Sequence, residues 1–129
     1  MPIIYSPPNP LLRRFNTDSI RLILPVVVRL GESITDAIAL GLLHLSAIVI
    51  PTSWTPANLT FQSSVDGVTW GDVYDGAGNE YKLNVQANGS YILLDSSAFY
   101  TMNYVKIRSG TTATPVPQTA ERSLQLVIL

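Results

Sequence analysis

From Ala57 onward, turns carrying glycine cut the chain into runs that are too short for helices and that alternate in polarity. Leu59, Phe61 and Ser63 point one way and Thr60, Gln62 and Ser64 the other before the pair Asp66-Gly67. An Asp-Gly pair between alternating runs predicts a tight hairpin in which both turn residues take positive φ, with Val68 and Trp70 opening the return strand. That reading puts Phe61 and Trp70 in the core. Between Asp75-Gly-Ala-Gly-Asn79 and Ala87-Asn88-Gly89, Tyr81, Leu83 and Val85 share one face and Glu80, Lys82 and Asn84 the other. Ser90 to Leu94 is a further strand, Asp95 or Ser96 caps a short helical turn through Phe99, and Tyr104 to Arg108 resumes the alternation. A polar loop from Gly110 to Thr119 leads to a final strand, Arg122 to Leu129.

The first half of the chain is consistent with this pattern. Ile20 to Leu30 is rich in β-branched residues, and Pro25 within it has no N–H for a ladder, which predicts a kinked edge strand. Ile34 to Ile50 divides at Leu40-Gly41 into two strands. About eight short strands with turns every eight to twelve residues indicate an all-β chain folded as an antiparallel β-sandwich, specifically a jelly roll. Residues 18–129 form this domain. Residues 1–17, rich in proline, asparagine and serine and without either apolar period, read as an extended N-terminal arm. The arm carries Ile3, Ile4, Tyr5, Leu11, Leu12 and Phe15 with no core of its own, and Arg13 and Arg14 beside them. These eight residues are the candidate partner-binding set.

Composition narrows the function. At 129 residues, 47% hydrophobic and 13% charged, the chain can bury a core. Its mean hydropathy of +0.25 is high for a protein that must cover itself with polar surface, so an assembling protein is expected rather than a free monomeric enzyme. A formal net charge of −1 offers no field for polyanions, which argues against a nucleic-acid partner. The apolar run Ala37 to Ile50 is too short for a membrane span of about 20 residues. No secretory leader is legible among the early prolines, so synthesis in the cytoplasm is expected.

No reaction chemistry is assembled by the motifs. His44 is the single histidine and sits inside an apolar run, there is no Gly-x-Ser-x-Gly elbow, and neither phosphate-binding fingerprint occurs. Cysteine is absent. Asp66, Asp72, Asp75 and Glu80 crowd together, but their spacing does not match a calcium loop, and they read as turn-forming acids. No catalytic, metal or cofactor residues are therefore assigned. Trp54, between Pro51 and Pro56, is the one aromatic that this reading leaves free either to join the core or to stack on a sugar.

The stretch Pro51 to Tyr74, with its Trp54, Asp66-Gly67 and Trp70, resembles the strand, turn and strand of discoidin-like jelly rolls, and Tyr104-Val-Lys-Ile-Arg108 is similar to their late core strand. The wider pattern, with Asp75-Gly-Ala-Gly-Asn79, Ile107-Arg-Ser-Gly110, Pro115-Val-Pro-Gln118 and Arg122 before a last strand, resembles small structural proteins of tailed bacteriophages. The resemblance covers roughly Ile34 to Leu129. It implies a non-enzymatic virion protein on the capsid surface: a decoration or cement protein that binds the major capsid protein, stabilises the phage head and self-associates as a homo-oligomer such as a trimer. The alternative it implies is a carbohydrate-binding adhesion module of a tail or baseplate, with Trp54 as the glycan contact.

Overall fold

The computed structural model describes residues 21–129. It contains eight strands, β1 (Leu22–Val28), β2 (Ile38–Ala39), β3 (Leu45–Val49), β4 (Leu59–Ser64), β5 (Gly71–Asp72), β6 (Tyr91–Leu93), β7 (Tyr104–Ser109) and β8 (Arg122–Ile128), and one helical turn, α1 (Ser96–Phe99). They form two antiparallel four-stranded sheets, ordered β1-β8-β3-β6 and β2-β7-β4-β5. Each strand pairs with the one that mirrors it about the β4–β5 connection: β1 with β8, β2 with β7, β3 with β6 and β4 with β5. Such a nested hairpin, wrapped so that all connections except β4–β5 cross between the sheets, is the jelly-roll arrangement of a β-sandwich.

The core lies between the sheets. From one sheet come Val28, Leu45, Ile48, Leu124, Leu126 and Ile128, and from the other Ile38, Leu59, Phe61, Val105 and Ile107. Phe61, Phe99 and Tyr81 form an aromatic cluster with centroids 5.2 to 6.0 Å apart. A bulge between Leu45 and Ala47 in β3 shifts its register on β8, so that Leu45 and Ile48 both face the core although they are three residues apart.

Several local expectations are met. β2 and β3 are separate strands, β1 is an edge strand, and Asp95 caps α1 by accepting a hydrogen bond from the Ser97 amide. β1 runs past Pro25 in continuous register with β8, since an edge position leaves room for a residue that cannot donate. Others are corrected. The Asp66-Gly67 pair does not make a two-residue hairpin. The β4–β5 ladder closes at Ser63 and Gly71, and the residues between them form a wider loop. Its cause is the Asp66 carboxylate, which accepts from the amides of Val68 and Thr69 at 2.8 and 2.9 Å, while Ser64 Oγ accepts from the Gly67 amide. These contacts satisfy amides that a tight turn would commit to the ladder. Trp70 is consequently not in the core: it lies half-buried, with Lys106 Nζ 4.4 Å from its ring centroid. Tyr81, Leu83 and Val85 do point inward together, but through isolated bridges such as Leu59–Leu83 rather than a ladder.

Candidate interaction surface

The two sheets present very different outer faces. In the β2-β7-β4-β5 sheet the outward rows are Thr60 with Arg108, Gln62 with Lys106 and Asp72, and Ser64 with Tyr104. This face is polar and closed by its own chain. Arg108 is buried there, donating to Asp72 Oδ1 at 2.7 Å, Glu80 Oε2 at 3.3 Å and Thr112 Oγ1 at 2.8 Å. The guanidinium holds the Asp72 carboxyl below the usual carboxylate range, first through its hydrogen bond. Glu80 also accepts from the Thr112 hydroxyl at 2.6 Å, so the cluster pins the segment after β5 and the loop after β7 onto the sheet.

Among the described residues, the paired ladder positions on the outer face of the β1-β8-β3-β6 sheet carry no charge. Register places Ile23, Val127, Ala47 and Leu93 in one row across all four strands, and Pro25, Gln125, Val49 and Tyr91 in the next. Val27 and Ser123 pair beyond them. Ala47 and Val127, in the two central strands, are buried, while at the flanks Ile23 is 57%, Leu93 78% and Tyr91 58% exposed. The sequence carries the signal in an unexpected form. Val26-Val-Val28, Ala47-Ile-Val-Ile50 and Leu126-Val-Ile128 are apolar at both parities, a pattern typical of strands covered on both faces, whereas Leu59 to Ser64 and Tyr104 to Ser109 alternate.

At the open side of the sandwich, between β1 and the segment leading into β2, lies a cleft of about 260 Å³ lined by Pro25, Val26, Val27, Arg29, Asp36, Ala37 and Ile38. Arg29 bridges to Asp36 Oδ2 at 2.6 Å across it, lowering the Asp36 pKa. With that pair satisfied, the lining supplies no nucleophile and no free acid–base group. Among the described residues no group of three or more His, Asp or Glu side chains is placed to hold a metal. No helix among them is long and apolar enough to cross a membrane.

Trp54 belongs to the core. It is 1% exposed, its Nε1 donates to the Ala57 carbonyl at 3.1 Å, and its own carbonyl accepts from Asn88 Nδ2 at 2.8 Å. A ring enclosed in this way has no face to offer a sugar. His44 stacks at a tilt on Tyr100, with centroids 4.4 Å apart, and its backbone pairs with Leu129 at the end of β8. The arm residues Ile3, Ile4, Tyr5, Leu11, Leu12, Arg13, Arg14 and Phe15 lie outside the described residues. What sequence reasoning missed is the hub at Arg108 and the apolar outer face. The hub joins residues 28 and 36 positions apart, and no short motif encodes it.

Comparison of the chain with family models, with curated proteins and with solved structures gives no match.

Proposed function

We propose that this chain is a non-enzymatic structural protein of a virion, a decoration or cement protein that binds the major capsid protein and stabilises the head. One observation supports the reading: the uncharged, largely apolar ladder positions on the outer face of the β1-β8-β3-β6 sheet, set against a second sheet whose Arg108, Asp72 and Glu80 are paired with one another. Apolar surface spread over a whole sheet face is costly in water and is usual at sites of assembly. The phage context comes from the sequence resemblance. Attachment through the N-terminal arm follows from Ile3, Ile4, Tyr5, Leu11, Leu12 and Phe15, each contributing about 1.5 to 3 kcal/mol if fully buried, before ordering costs of about 1 to 2 kcal/mol per residue. The net per arm is small, so many arms act together on one shell.

Co-sedimentation with capsid shells that lack the protein tests this. The full-length chain is expected to pellet with the shells, and a chain beginning at residue 18 to stay folded and bind much more weakly. Equal binding by both forms would move the contact from the arm to the sandwich. Absence of binding by either form contradicts the proposal.

A further inference from the structure

We infer that Asn88 is a site of spontaneous deamidation, converted to aspartate and isoaspartate through the amide of Gly89, and that the folded turn holds this reaction back. The inference concerns the covalent chemistry of the chain and stands apart from the capsid reading.

The reaction requires the backbone nitrogen that follows an asparagine to reach that residue's own side-chain carbon, and a Cβ on the following residue obstructs the approach. Asn88 is the only asparagine in the chain followed by glycine. Elsewhere the next residue is Pro10, which has no N–H, or Thr17, Leu59, Glu80, Val85 or Tyr104. Asn88 and Gly89 are both exposed, in the turn that leads into β6.

The turn itself demands this pair. Gly89 has φ +73°, and a Cβ on it would stand 3.2 Å from Thr52 Cγ2, so a larger residue is strained there. Asn88 Nδ2 donates to the Trp54 carbonyl at 2.8 Å, and a carboxylate in its place would set acceptor against acceptor.

The step balances with water as its only co-reactant. Once base has removed the Gly89 amide proton, the nitrogen lone pair attacks Asn88 Cγ. The N–Cγ bond forms, the Cγ–Nδ2 bond breaks, and Nδ2 leaves as ammonia from a cyclic imide. Water then adds to one of the two imide carbonyls and breaks its bond to nitrogen. Opening at Cγ gives aspartate, and opening at the main-chain carbonyl gives isoaspartate. Nothing is oxidised or reduced.

Both reacting nitrogens are tied in the folded chain. The Gly89 amide donates to the Pro51 carbonyl at 3.2 Å, and Nδ2 to the Trp54 carbonyl. Attack requires the first bond to open and departure the second, so the rate follows local opening of an exposed turn, which is far more frequent than global unfolding. The product does not restore the turn. A carboxylate cannot donate to Trp54, and isoaspartate lengthens the main chain by one carbon just before Gly89 and Ser90. The Ser90 carbonyl accepts from the Ile50 amide at 2.8 Å, where β6 begins its three-residue pairing with β3. Conversion therefore loosens that edge of the sheet.

Peptide mass spectrometry of the full-length protein, aged in mildly alkaline buffer, reads the conversion, because exchange of the amide nitrogen for oxygen changes the mass. Isomerisation at Asp66-Gly67 and Asp75-Gly76 through the same ring changes no mass and is not counted. Asn88 is expected to convert before every other asparagine, and several-fold faster in denaturing urea than in native buffer. The aged protein should unfold at lower urea than fresh protein. Asn88→Asp, which supplies one product directly, should show a lowered midpoint too; should it fail to fold, the aged wild type carries that comparison. Asn88→Gln, which would need a larger ring, should keep its mass over the same period. Earlier conversion of another asparagine, equal rates in urea and in native buffer, or protein fully converted at residue 88 with an unchanged midpoint would each overturn the inference.

Discussion

Arg108 joins three parts of the chain that share no continuous ladder: Asp72 in β5, Glu80 in the segment after it and Thr112 in the loop after β7. Removing one member of a buried ion cluster leaves its partners desolvated and unpaired, which typically costs about 3 to 5 kcal/mol. Asp72 and Glu80 keep some contact with water, so Arg108→Ala is expected near the low end, about 3 kcal/mol in urea unfolding. Loss of less than about 0.5 kcal/mol would show that the cluster does not hold these segments. Gly110 is constrained more simply. Its φ is +92°, and a Cβ there would stand 2.5 Å from the Thr114 carbonyl oxygen and 2.6 Å from the Val116 nitrogen, both backbone atoms. Gly110→Ala should therefore lower stability by more than the roughly 1 kcal/mol that positive φ alone costs, read from the same unfolding curves. Three carboxylates are held below their ordinary range, exposed Asp36 beside Arg29 and two that hold loops in place. Asp66 is lowered to about 2 by the amides of Thr69 and Val68 and the Ser64 hydroxyl, and Asp72 is lowered mainly by Arg108. Groups whose folded pKa is depressed contribute stability in full above the unfolded value of about 3.9, and lose it as pH falls through the folded value. Thermal stability should thus be flat with respect to these two groups above pH 5 and decline from about pH 4 toward pH 2. Asp66→Asn and Asp72→Asn should each shrink that decline.

At the scale of elements, Trp54 illustrates how burial decides a role. Flanked by prolines and outside any strand, it is held by Ala57 and Asn88 on its own side of the sandwich. Beside it, Gln118 uses both its amide hydrogens and its carbonyl oxygen to tie Thr55 to Ser109. Trp54→Ala should cost about 3 to 5 kcal/mol as a core truncation, measured by chemical unfolding. Stability within about 1 kcal/mol of wild type would mean the ring is not packed as described. The strands that alternate strictly, Leu59 to Ser64 and Tyr104 to Ser109, were legible because their period fixes which face is wet. The division of Ile34 to Ile50 at Gly41 was legible too, as was the cap at Asp95. The Asp66-Gly67 loop was misread because side-chain acceptors at Ser64 and Asp66 compete for the amides that a tight hairpin would pair, a contest that the dipeptide alone does not reveal. The place of Trp70 followed that error. The outer face of β1, β8 and β3 was missed because strands apolar at both parities give no periodicity, and their lateral order exists only once eight strands have paired. Arg108 was missed for the same reason: its partners converge through topology.

For the whole molecule, the two sheets divide the labour. One fastens loops through the charges on its outer face, and the ladder positions on the outer face of the other are uncharged. The proposed attachment to shells combines apolar burial with a basic contact through Arg13 and Arg14, and the two differ in their response to salt. Screening shortens the reach of exposed charges to about 8 Å at physiological ionic strength and about 3 Å at 1 M. High salt should accordingly weaken attachment to shells moderately while leaving its apolar part intact, which parallel sedimentation runs at low and high salt can read. The claim on which the account turns is that the protein is a repeated component of a virion surface. Quantitative mass spectrometry of particles purified from cells producing the chain measures this directly: decoration of a head predicts on the order of hundreds of copies per particle. Its absence from particles, or a dozen or fewer copies as expected of a tail component, would contradict it.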